Sequence, residues 1–268
     1  MDKLFSLKHK IAVVTGALGL IGKNHCLALN NAGASVVVAD LDEQKCIDFA
    51  NKYLHNSTGV YLDVTKKESV INLMDKVLSI YQKIDILINN AAINDMFEDP
   101  KVATEQSKFE NYPIELWQRS IDVNLTGVFL CSQVIGSEMV RQKSGSIINI
   151  ASTYGITAPD QSIYIDEFGN QSFFKPPAYS ITKGGVINLT KFLASYWGKT
   201  GVRVNTLTPG GVKNAQNDFF VSNYSKRTPL GRMAEPSDYQ GALIFLASDA
   251  SAYMTGANLI VDSGWTCW

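Results

Sequence analysis

Short apolar runs alternate along this chain with longer stretches in which apolar positions recur every three or four residues. The short runs lie at 10–14, 35–39, 59–62, 84–88, 146–150, 202–207 and 259–261. Several of them, such as Val36-Val37-Val38-Ala39, are apolar without interruption, as expected of strands covered on both faces. The stretches at 20–32, 66–81, 114–140, 178–197 and 236–247 carry the helical period. Strand–helix alternation from end to end predicts βαβ units. The expected fold is α/β, a doubly wound, Rossmann-like parallel sheet with helices on both faces. No repeat, low-complexity tract or linker divides residues 1–268, so one nucleotide-binding domain is expected.

Two connections are longer than such units need, 93–113 and 158–177. Both follow strands, so both should emerge at the carboxyl edge of the sheet, where doubly wound folds bind ligands. Together with 211–230 they are expected to build the substrate pocket. They contain Phe97, Phe109, Tyr112, Tyr164, Phe168, Phe173, Phe174, Phe219, Phe220 and Tyr224, with Asp95, Glu98, Asp160, Asp166, Lys175, Gln216, Asn217, Lys226 and Arg227 among them. Aromatic faces beside polar groups suit a sugar-like, polyhydroxylated ligand. Some of these rings must also pack the loops onto the domain.

Hydrophobic residues are 46% of the chain and charged ones 18%, which allows a substantial core. The formal net charge is −1 and no basic stripe is present, so a nucleic-acid partner is not expected. The apolar run 11–21 follows Lys8, His9 and Lys10, but Gly16 and Gly19 interrupt it and it is too short for a bilayer. No membrane association is expected. The four cysteines (Cys26, Cys46, Cys131, Cys267) form no C-x-x-C pair, so no metal site is expected. Reduced thiols in a cytoplasmic protein are the expectation.

Three features carry chemistry. Glycines at 16, 19 and 22 lie between the first strand and the first helix. Without Cβ atoms the backbone can turn tightly and approach a pyrophosphate, and the helix N-terminus offers N–H groups to that anion. Asp40 ends the second strand, where a carboxylate can bind the adenosine ribose hydroxyls of NAD and repel the 2′-phosphate of NADP. Its alternative role is to cap the following helix. NAD is the expected cofactor over NADP. Tyr179 and Lys183 stand four residues apart in a helical stretch, on one face. A phenol is a weak base at neutral pH, and a nearby ammonium favours its ionised form. Such a tyrosine can exchange the proton of a secondary alcohol while hydride moves to or from the cofactor.

The glycine loop, Asp40, Asp63, Asn89-Asn90-Ala91-Ala92, Asn124 in Asp122-Val123-Asn124-Leu125, Ser152 in Ser152-Thr153-Tyr154-Gly155, Tyr179 with Lys183, and Pro209-Gly210 occur in that order. In this the chain resembles the short-chain dehydrogenases/reductases over essentially its whole length. The resemblance implies that Tyr179 is the general acid/base. Lys183 would lower its pKa and hold the nicotinamide ribose, and Ser152 would bond the substrate oxygen. Asn124 would hold a water linking Lys183 to solvent. It implies a nucleotide site formed by Thr15, Gly16, Gly19, Leu20, Ile21, Gly22, Asp40, Leu41, Asp63, Val64, Asn90, Ala91, Ala92, Tyr179, Lys183, Pro209, Gly210 and Val212. It also implies a small-molecule substrate and a homodimer or homotetramer.

The chain departs from the commoner spacing T-G-x-x-x-G-x-G, which puts the loop path in question. Asn214 stands where a threonine is frequent, and Asp262-Ser263-Gly264 replaces a double glycine. The segment 228–265 is similar to bacterial members linked to surface-polysaccharide or flagellin-sugar modification. Two other readings stay open from the residues alone: an NADPH-dependent 3-oxoacyl-thioester reductase, and a nucleotide-sensing protein without turnover.

Overall fold

The computed structural model describes residues 3–94 and 100–268, with backbone only for 100–103. In chain order the strands are β1 (Ile11–Thr15), β2 (Ser35–Asp40), β3 (Thr58–Tyr61), β4 (Ile86–Asn89), β5 (Gly145–Ile150), β6 (Val202–Pro209) and β7 (Asn258–Val261). The helices are α1 (Gly22–Asn31), α2 (Glu43–Tyr53), α3 (Lys67–Tyr81), α4 (Pro100–Ser107), α5 (Ile114–Ile121), α6 (Gly127–Gln142), α7 (Pro177–Trp197), α8 (Asp218–Lys226) and α9 (Gln240–Ala247). The strands form one sheet in the order β3-β2-β1-β4-β5-β6-β7, all pairs parallel. The chain is a single Rossmann-like domain.

Uninterrupted apolar strands follow from burial of both sheet faces. Ala12, Val14, Val36, Val38, Ile86 and Ile88 point into one cluster, with Leu29 of α1 and Leu243 and Leu246 of α9. The intervening Val13, Val37 and Leu87 point into the other, with residues of α3, α6 and α7. Period-two alternation sorts side chains between faces, and both faces are apolar because both are covered. Within α3, Val70, Leu73 and Val77 are buried at helical spacing. Each such side chain stabilises the fold by roughly 1.5–3 kcal/mol.

The order of the sheet reverses at the β1/β4 junction, so the connections above it diverge and leave a crevice at the carboxyl edge. A buried polar network fixes the floor of this crevice. Asn89 of β4 donates to Ser132 of α6 (3.1 Å) and to Asn149 of β5 (2.8 Å). Asn149 donates to Thr190 of α7 (2.9 Å), and Thr206 of β6 donates to the same hydroxyl (2.8 Å). Three strands and two helices are thereby held in one register, and α7 carries Tyr179 and Lys183.

Residues Ile114–Gln142 run as 29 continuous helical residues, long and apolar enough to cross a membrane by length and composition. Half of that apolar stretch is buried within the protein. At Asp122–Thr126 the helix widens to a π-turn, a local irregularity that frequently marks functional sites.

Candidate active site

One cleft of about 1470 Å³ runs across the carboxyl edge and is lined from Gly16 and Asp40 to Ser152, Tyr179 and Lys183. At one end, Gly16 has φ +60°, and a Cβ there would lie 2.6 Å from the Ala91 Cα. A Cβ on Gly22 would lie 2.3 Å from the Gly16 carbonyl oxygen. The altered glycine spacing therefore still gives a tight cradle: Gly19 donates its N–H to Gly16 (3.2 Å), and Leu20 occupies the cleft wall. No side chain caps the start of α1, and Gly19, Leu20, Ile21 and Gly22 at that start line the cleft, where backbone N–H groups of a helix N-terminus can bind an anion.

Asp40 does not cap α2; Asp42 does, accepting the Lys45 N–H at 3.0 Å. The Asp40 carboxylate accepts the N–H groups of Leu18 (2.9 Å) and Leu41 (2.8 Å). A carboxylate has about four lone-pair sites, so two remain for a ribose diol. Leu41, Asp63, Val64, Asn90, Ala91, Ala92, Pro209, Gly210 and Val212 also line the cleft. These residues fit a dinucleotide. Thr15 does not line it. Its hydroxyl is buried, donates to the Ile88 carbonyl (3.3 Å) and accepts the N–H groups of Asn90 and Ala91 (3.0 Å each). Thr15 braces β1 against the end of β4.

At the other end, Tyr179 contacts the Ser152 hydroxyl. Ser152 also accepts the Tyr154 N–H at 3.3 Å, capping the short turn Thr153–Gly155, so the turn and the site share one side chain. Lys183 is buried, and its Nζ donates to the Ile150 carbonyl at 2.7 Å and stands 5.7 Å from the Tyr179 ring centre. Burial lowers the Lys183 pKa to about 8. Burial raises that of Tyr179, and the Ser152 hydrogen bond opposes the rise. The lowering expected from Lys183 does not emerge in the protein alone: desolvation dominates both groups.

Asn124 sits in the π-turn with its side chain committed. Its Oδ1 accepts the Ile93 N–H (2.7 Å) and its Nδ2 donates to the Ile93 carbonyl (2.9 Å). Its side-chain amide thereby clamps the segment after β4 to the helix.

The loops supply a tyrosine-rich wall. Tyr154, Tyr164, Phe220, Tyr224 and Met233 line the cleft, and the Tyr154 and Tyr164 hydroxyls are 3.3 Å apart. Asn214 lines it too. Phe109 and Phe168 are 77% and 81% exposed and face away from any core. Asp160 pairs with Arg227 at 2.6 Å instead of lining the cleft. Asp95, Phe97 and Glu98 lie outside the described residues. Tyr154, the second residue after Ser152 in its motif, and Lys175, at the end of the 158–177 connection, both line the cleft, as the pocket loops were expected to.

A family model described as enoyl-(acyl carrier protein) reductase matches residues 16–266. The NAD-dependent glycerol dehydrogenase of Listeria innocua is 32% identical over 270 residues, covering 99% of this chain and 97% of that one. The chain belongs to the short-chain dehydrogenase/reductase family. The 2-dehydro-3-deoxy-D-gluconate 5-dehydrogenase of Pseudoalteromonas atlantica is 33% identical over 275 residues, covering 99% of each chain. A gluconate 5-dehydrogenase from Burkholderia cenocepacia, solved in complex with NADP and tartrate, superposes with a TM-score of 0.87 at 29% identity, covering 99% of this chain and 98% of that one. This short-chain dehydrogenase/reductase is thus an NAD(P)-dependent oxidoreductase acting on CH–OH groups of small molecules.

Proposed function

We propose that the protein is an NAD-dependent dehydrogenase of a polar, polyhydroxylated secondary alcohol, with Tyr179 transferring the proton. The observation that carries this reading is the continuity of one cleft from the Gly16–Gly22 cradle and Asp40 to the Tyr179–Ser152 pair. The tyrosine hydroxyls of the far wall, and relatives whose names specify glycerol and gluconate, support a polyol or sugar-acid class.

NAD supplies the hydride acceptor when bound. Asp40 favours its ribose diol and disfavours a 2′-phosphate. Ser152 orients the substrate oxygen, and Tyr179 accepts the hydroxyl proton as the alcohol becomes a ketone. Lys183, fixed by the Ile150 carbonyl, lies beside that ring to hold the nicotinamide ribose. Because burial favours the neutral phenol, Tyr179 is poised to donate in reduction and must lose its proton for oxidation.

The test is fluorescence titration with NADH and with NADPH, followed by turnover assays on polyols and sugar acids. Tighter NADH binding is expected, with Asp40→Ala narrowing the preference. Tyr179→Phe should lose on the order of 10³-fold in activity while binding NADH normally. Tighter NADPH binding would overturn the Asp40 role, and full activity of Tyr179→Phe would overturn the tyrosine's.

A further inference from the structure

The substrate end of the cleft is walled by rings, and two of them carry hydroxyls that meet. Tyr154 leaves the chain two residues after Ser152, whose Oγ accepts the Tyr154 N–H at 3.3 Å. Tyr164 ends the short turn Gln161–Tyr164 in the 158–177 connection. Both line the cleft, and their hydroxyl oxygens stand 3.3 Å apart. Neighbouring rings hold the pair in place. Tyr154 packs edge-on against Trp265 with ring centres 6.4 Å apart, and Tyr164 leans on Phe220 of α8 at 5.5 Å. Trp265 is buried and stacks on Tyr224 at 4.4 Å, so the support reaches into one aromatic cluster. Burial pushes both phenols above their usual value, Tyr164 to about 12, so both keep their protons at neutral pH.

A phenol offers one O–H to donate and an oxygen that accepts. Within the pair a single O–H is used, by whichever tyrosine donates. The other O–H and the donor's own oxygen keep their capacity, and among the described residues neither hydroxyl has a further partner. The third tyrosine of the wall differs: the Tyr224 hydroxyl oxygen is taken up by the Gly211 N–H. Phe220 and Met233 beside the pair are apolar, so polar recognition on this wall falls to Tyr154 and Tyr164. They present a donor and an acceptor side by side, the complement of an aliphatic hydroxyl, which gives one hydrogen bond and takes another. Their place relative to the chemistry is set by Ser152, two residues before Tyr154, and by Tyr179, close enough for its charge to bear on both phenols. Resting on the reading of the site as a dehydrogenase of polyhydroxylated alcohols, we infer that the Tyr154–Tyr164 pair is a specificity-determining element that binds a hydroxyl on the carbon next to the reacting carbinol and so selects vicinal diols. A pair already fixed by its neighbours loses little further freedom on binding. A substrate without that hydroxyl leaves the spare O–H and oxygen unanswered once water is displaced.

The matched compounds 2,3-butanediol and 2-butanol differ by one hydroxyl on the carbon beside the carbinol. Oxidation of each, as its full mixture of stereoisomers, should be measured with NAD for the wild type, Tyr154→Phe, Tyr164→Phe and the double variant. Each substitution removes a hydroxyl and keeps the ring. The ratio of kcat/KM for the diol over the mono-alcohol is expected to favour the diol, to fall about tenfold in either single variant, and to fall little further in the double, because the two hydroxyls act as one unit. A general defect in folding, cofactor binding or Tyr179 lowers both substrates and cancels in the ratio. A wild-type preference that stays within threefold in both single variants would overturn the inference and leave the functional reading standing. Oxidation of both compounds without preference by the wild type would overturn it as well. If the wild type oxidises neither compound, the functional reading fails on its own account. Ligand-observed NMR of the two compounds with the NADH complex then decides the role of the pair. A diol signal that exceeds that of 2-butanol in the wild type and drops to it in Tyr154→Phe sustains it, and the same signals in both proteins overturn it.

Discussion

At the scale of single residues, the site is governed by desolvation more than by charge pairing. Lys183 is the clearest case. Its ammonium is buried with one carbonyl partner, and its pKa falls from the ordinary lysine range to about 8. A displacement of that size corresponds to about 3 kcal/mol against the charged form. The unfolded chain therefore binds more protons than the folded one between pH 8 and the ordinary lysine value, so stability rises with pH across that window. Below about pH 8 both states carry the proton and the full penalty persists. Lys183→Met removes the charge while nearly keeping the volume, and leaves the Ile150 carbonyl without this donor, which costs about 1–3 kcal/mol. The variant is expected to be inactive. Its Tm relative to wild type should be most favourable near pH 7 and should decline steadily toward pH 10. Thermal melts at a series of pH values measure this. A difference independent of pH would mean that Lys183 is not desolvated as its surroundings dictate.

At the scale of elements, the cofactor end depends on the junction of β1 and α1 more than on any side chain. Gly22 begins α1 under the Gly16 carbonyl, and the 2.3 Å approach leaves no room for a methyl group. Gly22→Ala should therefore push the loop outward, weaken NADH binding by tenfold or more and leave the helical circular dichroism of the folded protein in place. Unchanged NADH affinity would show that the cradle is not where the pyrophosphate rests. The same junction shows how much could be read from sequence. All seven strands were legible because continuous apolar runs leave few alternatives in an α/β chain. Helices α1, α3, α5–α6, α7 and α9 were legible by period. By contrast, α2 buries only Cys46, Phe49 and Ala50, and α8 only Tyr224. A helix that buries only one to three residues is lost among its polar neighbours. The Tyr179–Lys183 spacing showed that the two share a face. It could not show that Lys183 turns to Ile150, that Asn124 spends its amide on Ile93, or that Thr15 turns inward, because those partners are brought together only by the sheet. Lys175 was legible as a residue of a pocket loop, but its approach to Asn94 and Tyr179 was not, because those neighbours are joined to it by tertiary contact alone.

At the scale of the whole molecule, the outer faces of α6 and α7 remain to be accounted for. Phe129, Ile181, Phe192 and Tyr196 are 45%, 52%, 62% and 71% exposed. Phe192 and Tyr196 are one turn apart and stack at 5.9 Å with their planes 9° from parallel, which joins them into a flat apolar surface. Single exposed apolar residues are ordinary, but a group of large ones on adjacent helices is the usual mark of a surface covered by another chain. A second copy related by a two-fold axis would set the same helices against each other and cover both patches at once. The purified protein is therefore expected to scatter light as a dimer or tetramer. Phe192→Glu, placing a charge at the middle of the patch, should shift it toward monomer, because an unpaired carboxylate cannot be buried cheaply against the partner helix. Its NADH affinity should remain near wild type, since the cleft lies at the carboxyl edge of the sheet and Phe192 does not line it. A wild-type monomer, or a Phe192→Glu variant that keeps the full assembly mass, would place the covered surface elsewhere on the molecule.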